Sequence, residues 1–222
     1  MRYLIVLLSL FLMIGLVVGQ AVGQGTWYPE KIRTGRTVQT DAVGANLKGL
    51  ISIQTIPAAE SSDDDQLVNG ASLNSTTALA LDPSRSQFLA QPDVPRCLLV
   101  TPSDVVTTAI KFTGTDISGA TITEWANFSA SSTPVTTAKA FATVTMINAT
   151  TSGTTRTVKI GTSDKLGLNT KLSTNTVIMV ALDNVRETTA PTVTVSSTVL
   201  AQNTIDTSTA PGGKVTKVWF IV

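Results

Sequence analysis

Residues 105–128 read VVTTAIKFTGTDISGATITEWANF. In the first nine, Thr108, Ile110 and Phe112 fall on one side of an extended chain, with Ala109 and Lys111 on the other. That period of two is the mark of a half-buried strand. Gly114-Thr115-Asp116-Ile117-Ser118-Gly119 follows, a run of turn-forming residues, and Thr121–Phe128 resumes the alternation. A strand, a glycine-bounded turn and a returning strand predict a β-hairpin. Threonine is abundant on both arms, and its branched Cβ suits a pleated surface better than a helix.

The same texture continues on either side. KGLISIQTI at 48–56 predicts a strand with Leu50, Ser52, Gln54 and Ile56 on one face and Ile51, Ile53 and Thr55 on the other. Further strands are expected near 77–81 and over 97–101, 140–147, 155–160, 176–182, 192–200 and 214–222. No segment after residue 23 shows a helical period. Short strands at regular spacing, divided by turn clusters, predict an all-β, antiparallel sandwich or barrel. Residues 57–96 break the rhythm. They carry Pro57, Ser61-Ser62-Asp63-Asp64-Asp65, Asn69-Gly70, Pro83, Pro92 and Pro95, and predict a long turn-rich excursion from the domain. Residues 161–165, Gly-Thr-Ser-Asp-Lys, read as another turn with a local Asp164–Lys165 ion pair. The last strand ends Val218-Trp219-Phe220-Ile221-Val222, apolar on both faces. It must be covered, either inside its own sheet or by completing the sheet of a neighbour.

The N-terminus differs from all of this. Arg2 precedes an apolar run from Tyr3 to Val18, and small residues follow at Gly19, Ala21 and Gly23. That is the layout of a secretory signal peptide, with exits after Ala21 or Gly23. A retained apolar helix is the alternative, and it would be the chain's one contact with a membrane. The expected organisation is therefore a signal or helix over 1–23, an extended arm over 24–47, and a β-sandwich domain over 48–222. Trp27-Tyr28 in the arm reads as a packing anchor.

Composition restricts the chemistry. Of 222 residues only 14% are charged, and the net charge is +1. No basic excess is present to neutralise a phosphate backbone, so nucleic acid is not an expected partner. There is no histidine, which removes Ser-His-Asp and Cys-His catalysis and histidine-ligated metal. The one cysteine, Cys97, has no partner for an internal disulfide and precedes Leu98-Leu99-Val100, so it reads as a buried small side chain. No phosphate-binding glycine loop and no nucleophile elbow occurs. The chain is expected to be non-enzymatic and free of cofactors. The weak metal candidate is Asp63, Asp64 and Asp65, whose carboxylates could serve a hard cation, but consecutive residues point different ways and no spaced ligand pattern follows, so a solvated loop is the favoured reading. Asn74, Asn127 and Asn148 each begin an N-x-[ST] triplet and are possible N-glycosylation sites, Asn127 and Asn148 at expected strand ends.

One pattern is more specific. Phe112-Thr113-Gly114-Thr115-Asp116, Gly119 and Ile122-Thr123-Glu124 are followed by Thr137-Ala138-Lys139-Ala140-Phe141-Ala142-Thr143-Val144-Thr145 and by Lys159-Ile160-Gly161-Thr162-Ser163-Asp164-Lys165-Leu166-Gly167-Leu168. Residues 96–168 thereby resemble the β-rich structural proteins of tailed bacterial and archaeal viruses. The resemblance implies an all-β particle subunit with no catalytic residues. The expected function is a structural protein that associates with copies of itself, in a virus particle or in an extracellular tube, filament or surface layer. Its expected place is outside the cell, on the cell surface, or in a virion. A secreted monomeric binding module of adhesin type is the second expectation, and an enzyme the third.

Overall fold

The computed structural model describes residues 50–74, 78–152 and 155–222, together with one backbone ladder between β1 (Val38–Gln39) and β2 (Asn46–Leu47). The signal or apolar helix over 1–23, the rest of the 24–47 arm and Trp27-Tyr28 lie outside the described residues. The protein is all-β. Every pairing among its named strands is antiparallel. Among the described residues the one helical element is a three-residue 3-10 turn, Leu200–Gln202.

The strands are β3 (Ile51–Ala59), β4 (Asp63–Leu73), β5 (Leu79–Leu81), β6 (Arg96–Pro102), β7 (Val106–Thr115), β8 (Thr121–Ser131), β9 (Val135–Phe141), β10 (Thr143–Ala149), β11 (Arg156–Gly167), β12 (Val177–Leu182), β13 (Val185–Arg186), β14 (Thr192–Thr194), β15 (Thr204–Asp206) and β16 (Lys214–Ile221). They form a sheet in the order β5-β10-β7-β8, a sheet in the order β13-β12-β16-β3, and a larger sheet in the order β14-β15-β11-β6-β9. β4 joins the larger sheet by pairing with the first half of β11.

β11 is the spine. Val158 and Ile160, from its first half, lie in a core with Phe112 of β7, Phe128 of β8, Ile147 of β10 and Leu98 of β6. Leu166, from its second half, lies in another core with Ile56 of β3, Val180 of β12, Ile205 of β15 and Val218 of β16. One twelve-residue strand thus serves two cores, each between a small sheet and one end of the large sheet. Around the first core, the β8 and β9 edges are stitched together. Glu124 accepts the Ala138 and Lys139 backbone N–H groups at 2.6 and 2.8 Å, and Lys139 Nζ donates to Thr123 O at 2.6 Å. The antiparallel sheets include a half-barrel.

The hairpin stands where the alternation puts it. β7 buries Val106, Thr108, Ile110, Phe112 and Gly114, and its register with β8 runs Thr115↔Thr121 to Lys111↔Trp125. Asp116 closes the turn by accepting from Ser118 N and Ala120 N. The terminal strand lies between β12 and β3, inside its own sheet. Of its two readings, donation to a neighbour is set aside.

Four expectations need correction. Residues 57–96 are not one loop: β3 continues through Pro57 to Ala59, and 63–73 form β4. Asn69-Gly70 is not a turn but a bulge within β4, where Gly70 takes φ +81° and Ala71↔Val158 steps to Val68↔Ile160. Residues 161–165 are strand as well. Gly161 is there because β4 passes so close that a Cβ would stand 1.8 Å from Asp63 O. Residues 140–147 are two strands in different sheets. The chain crosses at Ala142, so Phe141 pairs with Arg96 of β6 while Thr143 pairs with Thr115 of β7. The strand over 192–200 stops at Thr194. Beyond it, the buried Asn203 amide donates to Ser196, Val199 and Leu200 carbonyls and accepts from Ser196 N and Leu172 N, which folds 196–203 into a compact turn.

Candidate functional site

The three aspartates do converge. Between Val68↔Ile160 and Asp63↔Thr162, β4 carries three residues more than β11, and this wide bulge gathers the carboxylates of Asp63, Asp64 and Asp65 within 4.8 Å of one another. They are not left to solvent alone. Lys159 Nζ, from β11, stands 3.4 Å from Asp64 and 3.3 Å from Asp65. Hydrogen bonding to Asp65 and the charge of Asp64 hold the Lys159 ammonium above its usual pKa. Lys159 gives one positive charge to two of the three carboxylates, and Asp63 is not paired with it. The cluster includes a strand-to-strand ion pair and borders an open depression of about 580 Å³, lined by Glu60, Ser62, Asp63 and Leu99 among others.

Beside it lies a feature that sequence alone does not disclose. The Arg96 side chain is wholly buried. Its Nε donates to Ser163 O at 2.7 Å, and Nη1 donates to Asp93 Oδ1 at 3.0 Å. Nη2 stands 3.7 Å from Asp164. The carboxylates are in use on their other side too, Asp93 accepting from Glu60 N and Asp164 from Ser62 N. Asp164 therefore pairs with Arg96 and not with its neighbour Lys165. Val94 belongs to the second core and Leu98 to the first, so Arg96 sits at the joint between them. Cys97 next to it is buried, and burial above all pushes its thiol up to about 12, so it is protonated and unreactive in the fold.

Of the possible glycosylation sites, Asn127 lies within β8 with its side chain exposed, and Asn148 lies in β10 between β5 and β7 and is half-buried. Asn148 is next to the end of β10, as expected, whereas Asn127 lies inside β8 rather than at its end. Asn74 follows β4 directly, and the rest of its triplet is outside the described residues.

The sheet edges supply the clearest asymmetry. β5, β13 and β14 are edges of three, two and three residues. β8 and β9 close on each other through Glu124 and Lys139. β4 is covered where Leu89 N donates to Leu67 O and Phe88 bridges Val68. Short, plugged or covered edges are how a β protein avoids unwanted pairing. Among the described residues β3 has none of these protections. It is nine residues long, ISIQTIPAA, without a charged side chain, and among the described residues no strand lies on its outer side.

Which of its backbone groups point outward follows from the ladder. Leu50 and Val222 exchange both N–H···O bonds, so alternate residues of β3 face β16 in the register Ser52↔Phe220, Gln54↔Val218 and Ile56↔Thr216. The N–H and C=O groups of Ile51, Ile53 and Thr55 are then directed to the open side. Gln54 anchors the strand from behind, donating to Gly167 O at 3.1 Å and accepting from Asn169 N at 2.9 Å. The alternation of 48–56 assigns the faces of this strand correctly. It carries no sign that the strand is an edge.

A second exposed feature is Trp125, 49% exposed, with Lys111 Nζ 5.7 Å from its ring centre. It shares the outer face of the hairpin with Thr113, Thr115, Thr121, Thr123 and Asn127.

Comparison with known proteins finds no matching family model, no matching curated protein and no matching solved structure.

Proposed function

We propose that this protein is a non-enzymatic structural subunit, a sandwich-type β module that associates with copies of itself. The observation that carries this reading is the β3 edge, nine residues long and uncharged, with no strand on its outer side among the described residues. An edge of that kind is a template for strand addition. The resemblance of residues 96–168 to virion proteins and the signal-like start support an assembly at the cell exterior or in a virus particle, with tube, filament and surface layer as the forms to distinguish.

The test uses the direction of a single N–H. Ile53 points its N–H away from β16, so Ile53→Pro removes an edge donor and leaves the ladder to β16 in place; proline is tolerated at such edge positions. In light scattering after size exclusion, the wild-type chain is expected to elute as oligomers and the Ile53→Pro chain as monomers with an unchanged far-ultraviolet circular dichroism spectrum. Wild-type protein that stays monomeric up to millimolar concentration would sink the proposal.

Trp125 favours a second reading, a carbohydrate-binding module. An exposed indole beside rows of threonine hydroxyls can stack on a sugar ring while hydroxyls and Asn127 hydrogen-bond its edge. Glycan-array binding that Trp125→Ala reduces at least tenfold is the expected result for that reading. An array with no hits, or hits indifferent to Trp125→Ala, removes it.

A further inference from the structure

We infer that Asn127 carries an N-linked glycan whose first sugar packs on Trp125. This rests on the exterior placement proposed above, because sugar transfer of this kind acts on exported chains, and it does not depend on self-association. Trp125, Asn127 and Ser129 alternate with the buried Ala126 and Phe128, so all three stand exposed on the outer face of β8. Asn127 and Ser129 are the two ends of an acceptor triplet, in which the amide takes the sugar and the hydroxyl two residues on marks the site. The middle residue, Phe128, belongs to the first core and leaves the acceptor clear. Across the ladder Asn127 faces Ala109, a small side chain that does not crowd it. The donor is a lipid-linked sugar phosphate. Nδ2 of Asn127 bonds to C1 of the sugar and gives up one proton, while the C1–O bond to the phosphate breaks and the phosphate leaves with its electron pair.

Trp125 supplies the independent observation. Residues two apart on one strand are about 6.5 Å apart, so a sugar hinged at Asn127 lies within reach of the indole. The indole is 49% exposed on a face of threonines, and a stacked sugar ring withdraws apolar surface that the fold leaves in water. Lys111 is the one basic residue of β5, β7, β8 and β10, and its Nζ stands 5.7 Å from the ring centre. Glu124, the one acidic residue of these strands, is turned away to the Ala138 and Lys139 N–H groups, so Lys111 keeps its donors for sugar hydroxyls. Asn148 lacks this setting. It is half-buried between Lys111 and Ala80, and Thr150, the hydroxyl of its triplet, is already bonded to Thr108 and Ala109. The indole thus has two alternative uses, a sugar of its own chain or, in the second reading above, a free one.

The experiment uses the full chain, expressed in a cell that N-glycosylates its exported proteins. Peptide mass spectrometry of the secreted protein is expected to find Asn127 glycosylated, severalfold more often than Asn148. Ser129→Ala is expected to abolish the modification, and Trp125→Ala to retain it. Enzymatic removal of the whole glycan is expected to lower the Tm of the wild-type chain by about 2–4 °C, and that of the Trp125→Ala chain by less than about 1 °C. Trimming to the first sugar is expected to leave the wild-type Tm unchanged, because that sugar makes the contact. Secreted protein with an unmodified Asn127 overturns the inference and keeps the exterior placement. Equal Tm losses in wild type and Trp125→Ala, or a loss on trimming as large as on full removal, overturn the packing of the first sugar on the indole. A chain that stays inside the cell brings down both the inference and the placement beneath it.

Discussion

Replacing Gly161 by alanine is expected to destabilise the fold by about 3 kcal/mol or more, the upper end of what one added methyl does in a packed site. The reason is that the obstacle is backbone. A Cβ on Gly161 would stand 1.8 Å from Asp63 O and 2.7 Å from the carbonyl carbons of Asp63 and Asp64. No side-chain rotation relieves that overlap. β4 would have to move off β11, in the strand that feeds both cores. Gly70 provides the comparison. It has φ +81° but nothing within 4 Å of its added Cβ, so Gly70→Ala meets backbone strain without collision and should lose about 1–2 kcal/mol. Urea unfolding of the two variants decides the matter. Similar losses at both positions would mean that β4 yields easily, and that the close approach does not define the bulge carrying Asp63, Asp64 and Asp65.

The contrast between these glycines also shows which parts of the fold are legible in the sequence. The 105–128 hairpin is legible because its partners are neighbours in the chain: alternation and turn chemistry are local signals, and local pairing satisfies them. β16 is legible as a buried strand because apolar residues on both faces leave few alternatives. Glycine, by contrast, has several uses. At 119 it makes the expected turn, whereas at 70 and 161 it serves a bulge and a close approach, and only the distant strand tells these apart. The crossing at Ala142 is hidden for the same reason, since Phe141 and Thr143 look like one strand until Arg96 and Thr115 are seen to claim them for different sheets. The edge position of β3 is a further case. Alternation tells which residues share a face, but whether another strand lies beyond depends on the order of the whole sheet. The aspartates were visible as a cluster, and the pairing of Asp64 with Lys159, 95 residues away, was not.

Arg96 is the other position where a single change should be felt throughout, and there the sequence shows just a charged residue at the head of an apolar strand. Arg96→Met keeps most of the volume and the apolar stem but removes every donor. Ser163 O, in the interior, is left without its 2.7 Å bond, and Asp93 and Asp164 lose their common counter-charge. Breaking a buried pair by removing one partner costs about 3–5 kcal/mol. The lower end is expected here, because the two carboxylates keep 19% and 30% of their surface and can take up water once the guanidinium is gone. Arg96→Lys should fall between wild type and Met. One ammonium cannot serve Ser163 O and Asp93 together from the directions that the planar guanidinium uses. Denaturant unfolding of the three proteins gives the order, and a double-mutant cycle with Asp93→Asn isolates the pair, with a coupling of about 0.5–3 kcal/mol expected for groups in contact. A loss below 1 kcal/mol for Arg96→Met would show that the cores meet well enough without the charge. A loss near the expected value makes Arg96 the joint between the two cores, held where Val94 enters one and Leu98 the other.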